Sequence, residues 1–234
     1  MTDIVNLNGR ATLGARVLFE TISLDIPKGH WIALLGPSGI GKSSLLRAMA
    51  GLPTALEFSG QFAVPAHDQI SWMAQDDLLL PWKSVLSNVV LGDLLRGIKP
   101  NTDKAYSLLS QVGLADLANR RPDTLSGGER QRVALARTLM EDRPVVFLDE
   151  PFSALDAKTR TEVQNLARRV LAGKTVVMVT HDPLEAVRLS DKAYLLSQTG
   201  LTLLHLPHTQ PPRAPEAAET LSAQGAIYQV LMAT

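Results

Sequence analysis

The sequence predicts an α/β fold, a parallel sheet covered by helices, with a largely helical segment inserted into it. Three observations carry this expectation. Short continuous apolar runs at Trp31–Leu35, Val145–Leu148, Val176–Val179 and Ala193–Leu196 alternate with helical stretches around 157–172 and 184–190, as strands buried on both faces of a parallel sheet do. The first of these runs leads into a glycine-rich loop and then into apolar residues at helical spacing. From about Asp76 to Arg137 the chain offers helical patterns and loops but no convincing strand.

Taken in order, Thr21–Ile26 alternates polar and apolar residues, the mark of a half-buried strand, and Pro27-Lys28-Gly29 turns the chain into the buried strand Trp31–Leu35. Ser43–Ala50 reads as a helix, stopped by Gly51. Ile70–Ala74 is strand-like. In the inserted segment, 76–137, the clearest helices are Asp103–Val112 and Glu129–Met140. Past Leu206 the chain reaches Pro211, Pro212 and Pro215 with little that could pack, so 207–234 reads as a proline-rich tail with a short helix at Leu221–Met232.

Composition removes several classes of function. Basic and acidic residues balance at 23 each, which leaves no global positive field for nucleic acid or an anionic membrane. No cysteine is present, so disulfides, thiolate metal sites and cysteine nucleophiles are absent, as suits a reducing compartment. No apolar run approaches the ~20 residues that span a bilayer, and the first residues do not read as an export signal. Any membrane passage therefore falls to other chains.

The chemistry starts at Gly36-Pro37-Ser38-Gly39-Ile40-Gly41-Lys42-Ser43, which fits GxxxxGK[ST], with Ser44 following. Backbone N–H groups of such a loop cradle phosphates, the lysine reaches the β/γ oxygens, and the hydroxyl holds Mg²⁺. The helix that begins there adds its positive end. Val145–Leu148 ends in Asp149 and Glu150, neighbouring carboxylates at the end of a buried strand, whose side chains point to opposite faces. Ser126-Gly127-Gly128-Glu129 spells a capping box at a helix start, and its glycine pair exposes N–H groups as a second anion site.

With these motifs in place, the chain from about Ile4 to Leu206 resembles the ATP-binding subunits of ABC transporters. The resemblance implies a P-loop NTPase domain over 1–206, with a RecA-like parallel core, an N-terminal antiparallel β region and the helical subdomain at about 76–137. It implies that Asp149 joins Ser43 and Gln75 in holding Mg²⁺, that Gln75 also senses the attacking water, that Glu150 is the general base for that water, and that His181, in Thr180-His181-Asp182-Pro183, contacts the γ-phosphate and helps position the water and Glu150. It further implies a head-to-tail homodimer that sandwiches ATP, with Ser126–Glu129 of one copy closing on the phosphate held by the other, and Asp156, in Ser153-Ala154-Leu155-Asp156, crossing that interface. One departure is evident: where the family stacks an aromatic ring on adenine, this chain has Leu13, followed by Gly14.

The stretch after Gln75 contains Leu79-Leu80-Pro81-Trp82 and resembles ATPases of the nitrate, taurine, aliphatic-sulfonate and thiamine-pyrimidine-precursor importers. In the family this is where a membrane permease docks, and Leu78–Leu80 with Trp82 would suit such an anchor. The resemblance thus implies import of a small nutrient through separate permease subunits, served by an extracytoplasmic binding protein, with this chain peripheral at the cytoplasmic face of the membrane. The competing readings are a lipid- or lipoprotein-exporting ATPase and a soluble ABC ATPase outside transport.

Overall fold

The structure, a computed structural model, describes residues 3–233 and resolves them into two compact bodies. The first contains 3–70, 144–150 and 172–233; the second contains 71–143 and 151–171.

The first body opens with a hairpin of β1 (Asp3–Leu13) and β2 (Arg16–Pro27). Ile22, Leu24 and Ile26 of β2 are buried while Thr21, Ser23 and Asp25 are exposed, the alternation read from the sequence. The strand runs further toward its N-terminus than Thr21 because β1 pairs with it through to Leu13↔Arg16. On its other side β1 takes up β4 (Leu56–Ala63), giving the order β2-β1-β4. β4 escapes the sequence pattern, since only Leu56 in it is buried and Gly60 interrupts it.

β3 (Trp31–Leu35) continues from the turn after β2, and α1 (Lys42–Met49) follows the glycine loop. β5 (Ile70–Met73) begins where the chain passes from one body to the other. The second body then supplies α2 (Val85–Val89), α3 (Leu91–Leu95), α4 (Thr102–Gln111) and α5 (Gly127–Met140). β6 (Val145–Asp149) returns to the first body, α6 (Ala157–Val170) belongs to the second, and β7 (Thr175–Val179), α7 (Pro183–Leu189), β8 (Lys192–Ser197), β9 (Gly200–Leu204) and α8 (Ala218–Met232) complete the first.

In the first body the strands run in the order β6-β7-β3-β8-β9. The first four are mutually parallel, and β9 folds back antiparallel on β8. Every residue of β3, β6 and β7 is buried, which is why their sequences are unbroken apolar runs. Parallel register puts the C-terminal ends of all three at one edge of the sheet, where α/β proteins bind ligands. α1 packs against β6 and β7, α7 against β3, and α8 against α7.

The segment after Leu206 is not the loose tail its prolines suggest. Arg213 is 6% exposed; its Nε donates to the Thr209 carbonyl (2.8 Å), its Nη2 to Pro207 (2.8 Å), and its Nη1 to Ser190 (3.0 Å) and to Val187. Arg188 and Arg213 are also joined by a backbone bond from Arg213 N to Arg188 O (2.9 Å) and by a side-chain bond from Arg188 Nε to Arg213 O (3.0 Å). A single guanidinium with five donors can thus order a stretch that has few apolar side chains of its own. Beyond it, α8 anchors through buried Thr220 and Ile227.

Within the second body α5 is the axis, contacted by α2 and α4. Ser84, Asn101, Ser126 and Asp156 cap the starts of α2, α4, α5 and α6 with side-chain oxygens. Asn88 is fully buried; its Oδ1 accepts from Leu80 N (2.7 Å), and its Nδ2 donates to the carbonyls of Ser84 (3.0 Å) and Leu80 (3.2 Å). These bonds fix the loop that holds Leu79 buried while Leu78 (61%) and Trp82 (67%) stay exposed. No helix among the described residues is long and apolar enough to cross a membrane.

Arg213 gives the fold a direct test. Arg213→Met should lower stability by roughly 2–3 kcal/mol, because it strands buried carbonyls. Arg10→Met, at an exposed ion pair with Glu20, should stay within about 0.5 kcal/mol. Urea unfolding of both variants checks the contrast.

Candidate active site

The loop between β3 and α1 is shaped by close packing. At Gly36, with φ of 154°, an added Cβ would lie 2.6 Å from the Leu196 carbonyl oxygen, so no larger residue fits. Gly41, with φ of 105°, forms the start of α1 and supplies no side-chain cap, and the first turn of α1 contains no acid. By contrast α2, α4, α5, α6 and α7 each have their own side-chain cap. A helix start without an internal acceptor leaves N–H groups for an outside anion. Ser38 and Gly39 are exposed, Pro37, Ile40 and Gly41 half-buried, and Ser43 and Ser44 half-buried in the first turn of α1.

Lys42 lies beneath the loop, 7% exposed, and its Nζ donates to the carbonyls of Gly36 (2.8 Å) and Pro37 (2.9 Å). Burial pulls its pKa below the ordinary lysine value, against the opposing influence of Glu150 and Asp149. Asp149, at the end of β6, is 4% exposed and accepts a hydrogen bond from Ser43 Oγ to its Oδ1 (2.9 Å). Burial pushes its carboxyl up; the bond from Ser43 works the other way, and the charge of Glu150 adds to the rise.

Glu150 leaves the strand in the left-handed region, with φ of 47°, where a non-glycine residue stores on the order of 1–3 kcal/mol. Its N–H donates to the Val179 carbonyl (3.0 Å), which holds the turn. The turn brings Glu150 Oε2 to 3.1 Å from His181 Nδ1. His181 is exposed just after β7, and its neighbour Asp182 caps α7 by accepting from Leu184 N (2.8 Å). The first body thus brings together Gly36–Ser44, Asp149, Glu150 and His181.

This donor set fits both groups that its motifs imply. For a polyphosphate there is an uncapped, acid-free helix start with a buried ammonium under the loop. For Mg²⁺ there are two oxygens, Ser43 Oγ and Asp149 Oδ1, already 2.9 Å apart, and Mg²⁺ takes oxygen ligands while keeping several waters.

The second body contains the remaining residues singled out from sequence. Ser126 Oγ accepts from Glu129 N (3.2 Å) and Glu129 Oε2 from Ser126 N (2.7 Å), the reciprocal capping box, and these bonds hold the Glu129 carboxyl below its usual range. Ser126 and Gly127 are exposed and Gly128 is half-buried, so the N–H groups of this helix start are accessible. Asp156 is exposed and caps α6 through Thr159 N (3.1 Å), which draws its carboxyl down. Gln75 is exposed in the loop after β5.

Sequence reasoning missed three residues of this body. Gln131 is 5% exposed; its Oε1 accepts from Ala154 N (2.9 Å), and its Nε2 donates to Ser153 Oγ (3.3 Å), so one carboxamide ties α5 to the segment before Asp156. Arg130 Nε meets Asp77 Oδ2 at 2.9 Å, and Arg137 donates to the carbonyls of Asp77 (2.6 Å) and Leu78 (2.9 Å), which tie α5 to the loop after Gln75. The available signal was a glutamine on the inward stripe of α5, one turn before Leu135.

Two outcomes follow from this geometry. A carboxyl whose folded pKa is raised costs stability above that folded value, and the cost vanishes below its unfolded value. Asp149→Asn should therefore raise the melting temperature of the nucleotide-free protein near neutral pH, with the gain shrinking as pH falls through the carboxylate range; a lower melting temperature at neutral pH would count against it. Gln131→Met strands the Ala154 N–H and should cost about 1–3 kcal/mol in urea unfolding.

Comparison with known proteins agrees with the geometry. The family described as ABC transporter matches residues 19–153. The chain is 42% identical over 223 residues to an uncharacterized ABC transporter ATP-binding protein of Haemophilus influenzae, covering 92% of this chain and 93% of that protein. It is 43% identical over 226 residues to an aliphatic sulfonates import ATP-binding protein of Mesorhizobium japonicum, covering 93% and 84% respectively. A dimeric ATP-binding cassette solved in a post-hydrolysis state with ADP and Pi superimposes with a TM-score of 0.71 at 27% identity, covering 90% of this chain and 99% of that one. The α/β fold is therefore that of the P-loop ATPase cassettes, and the chain belongs to the ABC transporter family as an ATP-binding, ATP-hydrolysing member.

Proposed function

We propose that the chain powers import of a small organic anion, with an aliphatic sulfonate as the cargo, by binding and hydrolysing ATP beneath a separate membrane permease. The observation that carries the hydrolytic part is the cluster at one sheet edge: Lys42 under the phosphate loop, Ser43 on Asp149 (2.9 Å) and Glu150 beside His181 (3.1 Å). The cargo class rests on similarity to the sulfonate-import ATPase of Mesorhizobium japonicum. That likeness favours import over lipid or lipoprotein export and over a role outside transport.

In this reading the N–H groups of Gly39, Gly41, Lys42 and Ser43 receive the β- and γ-phosphates, with Pro37, Ser38, Ile40 and Ser44 shaping the loop. Lys42 exchanges its two carbonyl partners for phosphate oxygens, which removes part of the cost of its burial. Ser43 and Asp149, with Gln75 as the family resemblance implies, would hold Mg²⁺, which would neutralise charge on the phosphates. Glu150 accepts the proton of the attacking water as it adds to the γ-phosphorus and the bond to the bridging oxygen of ADP breaks. His181 orients Glu150 and contacts the γ-phosphate.

The second anion site, Ser126–Glu129, completes the reaction on the nucleotide of a second copy, so that ATP is sandwiched in a head-to-tail homodimer with Asp156 at the interface. The dimeric cassette with ADP and Pi supports this arrangement. Exposed Leu78 and Trp82 offer the docking surface for permease subunits, which would keep the chain peripheral at the cytoplasmic face, with an extracytoplasmic binding protein delivering cargo.

Glu150→Gln should keep ATP binding, lower the hydrolysis rate by roughly 10²–10⁴-fold, and accumulate an ATP-bound dimer seen by light scattering. Parent-like turnover in that variant would remove Glu150 as the base. With the permease reconstituted in vesicles, sulfonate with its binding protein should stimulate ATP hydrolysis; the absence of stimulation by any sulfonate would redirect the cargo assignment.

A further inference from the structure

His181 stands against Glu150 with little packing to hold it there: 59% of its side chain is exposed, and Glu150 Oε2 lies 3.1 Å from its Nδ1. An imidazole so exposed takes its direction from the backbone on either side, and both sides are fastened. Before it, the Thr180 N–H donates to the Leu34 carbonyl of β3 (3.2 Å). After it, the Asp182 N–H donates to Thr180 Oγ1 (3.0 Å), so the chain bends around one hydroxyl. That hydroxyl is itself oriented, because it donates to Glu185 Oε2 (2.6 Å). Thr180 is 1% exposed and Glu185 3%. An acid in the first turn of a helix ordinarily complements the helix's positive end from the surface. Glu185 is in the first turn of α7, yet it is buried and reaches back past the cap, Asp182, to the residue before His181.

We infer that Glu185 is a positioning residue for ATP hydrolysis, acting through the Thr180 hydroxyl to hold His181 against Glu150. The inference rests on the reading above that His181 acts in the reaction. A hydroxyl has one proton to give and two lone pairs to receive. With the proton committed to Glu185, a lone pair faces the Asp182 N–H, and the turn carrying His181 is fixed from inside. Both side chains are buried, so bulk water does not take over either bond when one partner is removed. The hydroxyl then loses its orientation and the Asp182 N–H its aligned acceptor. Displacing a reacting group by about 1 Å costs on the order of 10²-fold in rate, which lets a pair outside the phosphate loop govern turnover. Because that loop is untouched, the effect falls on kcat and spares KM.

Steady-state ATP hydrolysis by the full chain tests this. Thr180→Val, which keeps the shape and removes the hydroxyl, and Glu185→Leu should each lower kcat roughly 10- to 100-fold and leave KM for ATP within about twofold of the parent. Thr180→Ser, which keeps the hydroxyl, should hold kcat to within about threefold of the parent. The double variant Thr180→Val with Glu185→Leu should be about as slow as the slower single one, since the two act as a unit. Parent-like kcat in either apolar variant overturns the inference. So do multiplied losses in the double variant, a Thr180→Ser variant as slow as Thr180→Val, or an apolar variant that no longer folds or binds ATP, which would make the pair structural. His181→Ala separates the two readings: parent-like turnover there removes His181 from the reaction, whereas turnover lost there but kept in Thr180→Val and Glu185→Leu removes only the positioning pair.

Discussion

Parallel pairing of β6, β7 and β3 is the constraint on which the active site depends. Because the three strands run the same way in register, Leu35, Asp149 and Val179 finish together at one edge. Each delivers a different chemical group at that edge: the phosphate loop after β3, two carboxylates at β6, and His181 after β7. The bond from Glu150 N to the Val179 carbonyl extends this pairing by one step past β6. It holds Glu150 in a left-handed conformation that few non-glycine residues adopt, and the strain is sustained by the buried strands on either side. Side-chain direction at the site is therefore a product of backbone hydrogen bonding.

The electrostatics of the site oppose its folding. Lys42 and Asp149 are both almost wholly buried, and burial shifts each toward its neutral form. The protein offsets this locally, with two carbonyls on the ammonium and one hydroxyl on the carboxylate. These partners are groups that a polyphosphate and a hard cation can replace. Stability in the nucleotide-free state is thereby given up for complementarity to a charged ligand.

The second body solves a different problem, keeping exposed loops in defined positions without a sheet. α5 does this with polar side chains on two neighbouring faces. Gln131 grips the segment before Asp156, and Arg130 and Arg137 grip the loop after Gln75. α5, whose N-terminus is the proposed second anion site, is thus hydrogen-bonded to the two other loops proposed to act in the reaction. A shift of its first turn would be felt at both, because buried or charge-assisted hydrogen bonds have little slack.

Much of this was legible in the sequence. Unbroken apolar runs disclosed β3, β6, β7 and β8, since residues buried on both faces leave no alternative, and Ser126 with Glu129 disclosed the start of α5, since capping is a local bond. The residues proposed to act on ATP stood out in the sequence because each follows a strand end or opens a helix. β4 was hidden, its side chains mostly exposed and its place set by pairing with β1. So was the order within the second segment, where Gln131 and Arg137 act on residues far along the chain. The proline-rich stretch looked unable to pack because its anchor is one arginine bonded to carbonyls, a feature with no periodicity. By itself the sequence determined the glycine loop before α1 and the capping box that opens α5, because their bonds are made over a few consecutive residues. Only the tertiary structure decided that Glu150 turns toward His181 and that Arg213 closes the C-terminal segment, because these depend on distances across strands and helices that no local pattern encodes.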